Sequence, residues 1–306
     1  IYRINIYLIF LILHLFINSI YVYVIDMKRE YGYFGPDSMM WKVNKEITVL
    51  FGGARALLMH AAHPLIAAGA RQTSFYQRDP WKRLIRTLSL QNSVTFGNIE
   101  EADESALRIN KLHEVIKGKD EVTGGVYDAL DQEQLLWVHA CLQISSIFFY
   151  EKTVRRLSEK EKNQYHEENM QAAKLVLINT NNMPKSHKEL KNWVIKKSKE
   201  DDYLLLTDVA IDVKDIISGG PVPIHIKPIW PFIAFTAFQT LPKEFKQIYG
   251  VKNSKFKETL VSFNLFLLKI TRPFLPPFFR LIAPARWAKQ RITSNPSLRF
   301  KDKSRI

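Results

Sequence analysis

Residues 131–152 read DQEQLLWVHACLQISSIFFYEK. Asp131 is a helix-capping residue type, able to accept hydrogen bonds from the free N–H groups of a first turn. Behind it the chain is apolar almost without interruption through Phe149. This predicts the most apolar helix of the chain, Glu133 to about Arg156, apolar on nearly every side as buried helices are. His139 lies inside it, read first as a hydrogen-bonded core histidine and second as a ligand.

Working outward, the same periodicity recurs on both sides of this helix. Upstream it predicts helices over Met39 to about His63, Leu65 to about Tyr76, Trp81 to about Gln91, and Glu100 to Gly118. The first contains Gly52-Gly53, and Pro64 disfavours helical geometry at His63. Downstream it predicts Leu157–Leu177, opened by the capping box Ser158-Glu159-Lys160-Glu161. Ser186 to about Lys199, Phe232–Tyr249 and Ser254–Thr271 follow. Gly219–Pro231 reads as an irregular crossover, and FLPPFFRLIAPARWAKQR as an amphipathic tail broken at Pro276-Pro277. No repeat, no run of alternating strands and no Gly-rich phosphate loop is present; Gly52-Gly53-Ala54 lacks the strand and the later glycine. The expected fold is all-α, one domain with a looser C-terminal portion.

The 306 residues, 46% hydrophobic and 24% charged, suffice for a sizeable core. One cysteine, Cys141, excludes an intrachain disulfide, a CxxC zinc cluster, Fe–S ligation and CxxCH haem attachment. It suits a reducing, cytoplasmic setting and reads as a small buried hydrophobe. The net charge of +14 raises nucleic acid or an anionic membrane as partners. The basic residues are spread along the chain, without zinc-finger, RNP or zipper patterns, so nucleic acid is not expected. The concentrations at Lys185–Lys199 and Arg272–Arg305 read as solvated helix faces, with a membrane surface as the second reading.

Residues 1–26 form a hydrophobic segment. From Ile6 to Ile25 only His14, Asn18 and Ser19 are polar beyond the tyrosines, and twenty such residues can span a bilayer. The competing reading takes Met27, the first methionine, as the start and the upstream residues as translated AT-rich sequence. The division that follows is 1–26, a helical domain over 27–290 and a basic tail over 291–306.

Four segments set polar residues in apolar surroundings. In FGGARALLMHAAHPLIAAGARQTSF, residues 51–75, Arg55, His60 and His63 stand among small residues. Those small residues admit a close neighbour, either another helix or a flat cofactor. In DPWKRLIRTLSLQNSVTFG, residues 79–97, Arg83, Arg86 and Thr87 share one helical face, a surface pair or an anion site. In ALRINKLHEVIKG, residues 106–118, His113 falls in line with Ala106, Ile109 and Ile116 on the apolar stripe, with Asn110 and its polar neighbours on the other side. His139 is the fourth. The pair His60/His63 lacks the glutamate of HExxH, and no nucleophile elbow appears. Buried histidines, a two-arginine face and a small-residue helix suit a large planar cofactor better than a hydrolase.

The order of these pieces, GGARALLMHAAHP (52–64), AAG (67–69), FYQRDPWKRLIRT (75–87), FG (96–97), KLHEVIKG (111–118), YDALD (127–131) and LLWVHA (135–140), resembles the MpaB / latex-clearing-protein oxygenase family. The resemblance covers roughly Tyr33 to Ala285. It implies a globin-like helical core holding non-covalent haem b and its iron, and oxidation of a hydrophobic, isoprenoid- or lipid-like substrate with dioxygen. In the latex-clearing branch the proximal histidine lies in the helix matching KLHEVIKG, which points to His113. That branch places a basic residue of an R-x-x-[KR]-T motif on the distal side; the matching positions are Arg83, Arg86 and Thr87. Arg86 stands where that branch has lysine, and a guanidinium stays protonated and cannot offer a lone pair to iron. The resemblance therefore implies Arg86 and Thr87 near the reacting oxygen. Arg83 is the candidate for a haem propionate, and Arg55 and His139 are further candidates beside the cofactor, with His139 still read first as a core histidine. His63, near the place of that branch's catalytic glutamate, takes an acid/base or distal role. Trp137, Phe148 and Phe149 are expected to wall an apolar substrate. A haem sensor or carrier without turnover, and a cofactor-free membrane-associated helical protein, are the alternatives.

Overall fold

The predicted central helix forms as α7, Gln132–Thr153, in a computed structural model that describes residues 32–294 apart from Ser74, Pro221, His225, Asn253 and the side chains of Phe75 and Tyr76. The apolar segment at 6–25, the start at Met27 and most of the basic tail lie outside the described residues. Asp131 caps α7 by accepting from Gln134 N at 2.9 Å. Trp137, Ala140, Cys141 and Phe149 on α7 are fully buried. Cys141 is thus the small core residue its setting suggested, and burial pushes its thiol pKa up.

The other helices surround α7. They are α1 Met39–Asn44, α2 Phe51–Ala61, α3 Pro64–Thr73, α4 Phe75–Arg78, α5 Pro80–Phe96 and α6 Ile99–Glu114 on the N-terminal side. After α7 come α8 Glu159–Leu175, α9 His187–Lys197, α10 Asp208–Gly219, α11 Trp230–Gln239, α12 Lys243–Ile248, α13 Lys255–Thr271, α14 Pro277–Arg280 and α15 Ala283–Ser294. The fold is all-α and a single domain. α2 packs directly on α7, and a side chain at Gly52 would meet the Ser145 backbone at 3.2 Å, tighter than ordinary contact, so glycine eases this close approach. One core joins α2, α7, α10, α11 and α12 around Leu58, Met59, Trp137, Val213 and Phe245. A second joins Phe51, Phe96, Phe149, Leu265 and Ile282. A third packs α1 and α8 on the far end of α7 through Met40, Val43, Ile147 and Tyr165.

Several boundaries differ from the periodicity. The helix expected over Met39 to His63 is broken: α1 ends at Asn44, a 3-10 turn spans Ile47–Leu50, and α2 follows. At the break Glu46 leaves helical geometry to pair its backbone with Leu281. Phe232–Tyr249 divides into α11 and α12 at Pro242, which has no N–H to continue a helix. The helix expected to reach Gly118 stops at Glu114, and Lys117–Lys119 pairs antiparallel with Val126–Asp128 as β1 and β2. Three residues per strand leave no alternation to read. Asp120 fixes their turn, accepting from Thr123 N at 2.9 Å and Thr123 Oγ1 at 2.8 Å. α10 is an addition that the periodicity reading passed over; Thr207 caps it and Val209, Val213 and Ile217 form its buried stripe. The stretch Ile47–Ala61 meets α3 at 102°, a bend at Pro64 whose free carbonyl, that of Ala62, accepts from Leu205 N at 2.8 Å. Among the described residues no single helix is long and apolar enough to cross a membrane.

Candidate functional site

Although α2 is a core helix, one of its faces is only half-buried: Gly53, Ala54, Leu57 and His60, at i, i+1, i+4 and i+7. A side chain at Gly53 would meet nothing within 4 Å, so this face borders open space. His60 donates from Nε2 to the Val138 carbonyl at 3.0 Å, which leaves Nδ1 without the proton. Burial lowers its pKa to about 4, and the charge of Arg83 on α5 pushes the same way. Arg83 of α5 thus bears on the half-buried face of α2.

On α5, Asp79 caps the first turn by accepting from Lys82 N at 2.9 Å, with Pro80 at the first helical position. Arg83 is half-buried, whereas Arg86 and Thr87 are exposed. The Thr87 hydroxyl donates to the Arg83 carbonyl at 3.2 Å. Along its length α5 packs on α6. The turn between them is closed by a capping box, with Glu101 N donating to Asn98 Oδ1 at 2.7 Å and Asn98 N to Glu101 Oε2 at 2.8 Å.

His113 sits in the last turn of α6. Its buried stripe begins at Ala102, Ser105 and Ala106 and continues through half-buried Ile109, Asn110 and His113. The Nδ1 atom of His113 is buried and has no hydrogen-bond partner, and burial lowers the pKa, so the imidazole is neutral. Asn110, expected on the polar side, is one turn earlier on the same side. Its Nδ2 donates to the Leu175 carbonyl at 2.9 Å, while its Oδ1 is buried without a partner. Its i, i+3 spacing from His113 was the available signal. α3 reaches this end of α6: Gln72 Nε2 donates to the Val115 carbonyl at 3.2 Å, and Ile116 lies against Gly69.

The remaining sequence candidates go elsewhere. Arg55 is buried; its Nη1 donates to Ser145 Oγ at 2.6 Å and its Nε to the Thr240 carbonyl at 3.0 Å, tying α2 to α7 and to the end of α11. No carboxylate faces it, and burial lowers its pKa to about 10. The structure groups His63 with Trp137 and Tyr203, at ring distances of 6.0 and 4.7 Å. Its Nδ1 accepts from Ile66 N at 3.5 Å, and burial takes its pKa to about 4. The charges bearing on it are Glu133, Asp131 and Lys197. His139 is a core histidine that bonds the Asn169 backbone, with Nε2 buried and unpartnered, and its pKa falls to about 4 by burial. Neighbouring His166 is fully satisfied, donating from Nε2 to the Pro184 carbonyl at 2.7 Å and facing Gln143 at Nδ1, 3.0 Å. Trp137 and Phe149 are wholly enclosed; Phe148, half-buried, lies 5.1 Å below the Arg55 guanidinium.

No group of three or more His, Cys, Asp or Glu side chains able to hold a metal ion occurs among the described residues. A cofactor whose own ring supplies most of the donors needs only one protein ligand. His113, neutral and with Nδ1 buried and unpartnered, has the donor chemistry for such a cofactor, and the open space at Gly53 leaves room beside α2. An all-α protein with a neutral, half-buried histidine on one helix and two arginines on the helix packed against it is the class that fold and site define. The family model described as ER-bound oxygenase mpaB/B'/Rubber oxygenase, catalytic domain, matches residues 41–287, and the chain belongs to that family of oxygenases. No curated protein and no solved structure matches the chain.

Proposed function

We propose that the protein is a haem b-dependent oxygenase acting on a hydrophobic, isoprenoid- or lipid-like substrate with dioxygen. The observation that carries this reading is the neutral imidazole of His113 with its buried, unpartnered Nδ1. A neutral imidazole is the form that binds iron through one nitrogen, and the other nitrogen then wants an acceptor to set tautomer and orientation. Asn110 Oδ1, buried without a partner on the preceding turn, is the candidate acceptor, although the two atoms are not hydrogen-bonded to each other in this structure. Haem, when bound, supplies the activation of dioxygen. Arg83, half-buried and bearing on His60, is the better-placed guanidinium to stabilise negative charge within the cleft. Exposed Arg86, with Thr87, serves anionic groups at the mouth, propionates included. His63 and His60, both near pKa 4, remain neutral and act as hydrogen-bonding groups rather than proton donors.

The test is spectroscopic. The full chain is purified from haem-supplemented cells and its visible spectrum recorded beside that of His113→Ala. A Soret band that is lost or shifted in the variant is expected. No band in the wild type, or the same band in both, overturns the assignment. Oxygen uptake with an isoprenoid substrate then separates an oxygenase from a carrier without turnover.

A further inference from the structure

α13 carries two apolar stripes. Val261, Leu265 and Leu268 are buried against α7 and α11. On the opposite side Phe256 is 74% exposed, and Leu260, Phe263, Phe266 and Ile270 are exposed with it. At 100° per residue these five span an arc of about 120°, and Phe274, 81% exposed, extends the row beyond the helix. A surface helix normally turns polar residues outward, and a continuous apolar row of this length marks a contact surface.

The charge around the row is one-sided. Between Lys255 and Ser294 there are eight lysines and arginines against one carboxylate, Glu258, which pairs with Lys246 at 3.7 Å; Arg272 is committed to Glu46 and Arg291 is buried, which leaves six cations for the surface. Lys255 and Lys257 fall on opposite borders of the exposed arc. Arg286 lies over the ring of Phe278 at 4.5 Å, and Phe278, four residues after Phe274, is itself exposed. Phenylalanines on a convex helix, bordered by cations on both edges, match the layering of a bilayer surface, with acyl chains below and anionic headgroups above.

We propose that this C-terminal face, from Phe256 to Phe278, docks the protein on an anionic phospholipid membrane, with the phenylalanines inserted below the headgroups and the lysines and arginines among them. The surface acts whether or not haem is bound. Docking would set the protein with α13 along the membrane plane.

The chain's chemistry provides a clean probe, because Cys141 is fully buried and an added surface cysteine can be labelled selectively. The full chain is prepared as Phe263→Cys, Phe274→Cys and, as control, Lys160→Cys on exposed α8, each carrying an environment-sensitive fluorophore. Vesicles of phosphatidylcholine with phosphatidylserine should blue-shift the labels at 263 and 274, and nitroxide-bearing lipids should quench them. The shift should weaken by roughly tenfold in apparent affinity with phosphatidylcholine alone or in high salt, and position 160 should not respond. Labels at 263 and 274 that stay unshifted while the protein sediments with vesicles would show that another segment holds the membrane and would overturn the proposal. So would an equal response at 160, or a shift produced by a protein partner but not by lipid.

Discussion

Arg272 donates two hydrogen bonds to the carboxylate of Glu46, from Nε at 2.8 Å and from Nη2 at 2.5 Å, joining parts of the chain 226 residues apart. Glu46 is almost fully buried, whereas Arg272 keeps some solvent contact. The two sides of the pair therefore differ in what their loss leaves behind. Arg272→Ala strands a buried carboxylate and should cost about 3 kcal/mol or more, while Glu46→Gln leaves a guanidinium that can turn to water and should cost about 1–2 kcal/mol. Urea unfolding of the two variants checks the order; equal losses, or the reverse, contradict it.

Gly52 and Gly53 are adjacent and should respond oppositely to the same substitution. Gly52→Ala drives a methyl group to 3.2 Å from the Ser145 backbone and should destabilise by about 1–2 kcal/mol. Gly53→Ala meets nothing and should stabilise the helix by about 0.5–1 kcal/mol. Thermal melts of both single variants decide this. Gly53→Phe should fold and yet lower haem content, since its ring would occupy the open space beside α2.

Burial depresses the pKa of His60, His63, His139 and His187 to about 4 each. In the unfolded chain a histidine titrates near 6.5, so below that pH the unfolded state binds protons the native state refuses. Stability contributed by these groups is full above pH 6.5 and is lost between about 6.5 and 4, at up to about 1.4 kcal/mol per pH unit for each. The urea midpoint should fall clearly between pH 7 and pH 5. A midpoint unchanged over that range would show that these rings are not held neutral.

Cys141 should resist thiol reagents in the native protein, because it is fully buried and its thiolate is disfavoured. Reaction with a disulfide reagent should follow global unfolding, and a stoichiometric burst under native conditions would contradict the packing described.

The fold class was legible because α7 announces itself: one capping aspartate followed by an apolar run has few other readings. What escaped was non-local. Nothing near Glu46 signals that Leu281 and Arg272 will claim its backbone and side chain, so the break before α2 could not be read from its own neighbourhood. The hairpin after His113 is too short for periodicity, and its turn rests on Asp120. Helical spacing put His113 on the buried stripe of α6 and the two arginines on one face of α5, but spacing does not report depth. Arg86 and Thr87 share a face with Arg83 yet reach solvent, and His63 turns to Trp137 and Tyr203. Asn110 looked like a solvated side chain because an asparagine beside a lysine usually is one.

Arg291 in α15 donates from Nη2 to the Phe96 carbonyl at 2.6 Å, at the corner where α5 hands over to α6. Its Nη1 lies 3.7 Å from Glu101, the partner of Asn98 in the capping box of α6. That corner sets how the arginine helix and the His113 helix stand to each other. During synthesis both helices leave the ribosome nearly two hundred residues before the side chain that fastens their junction. The nascent chain thus cannot fasten the α5–α6 corner early, and the relative placement of these two helices is fixed only once α15 has emerged.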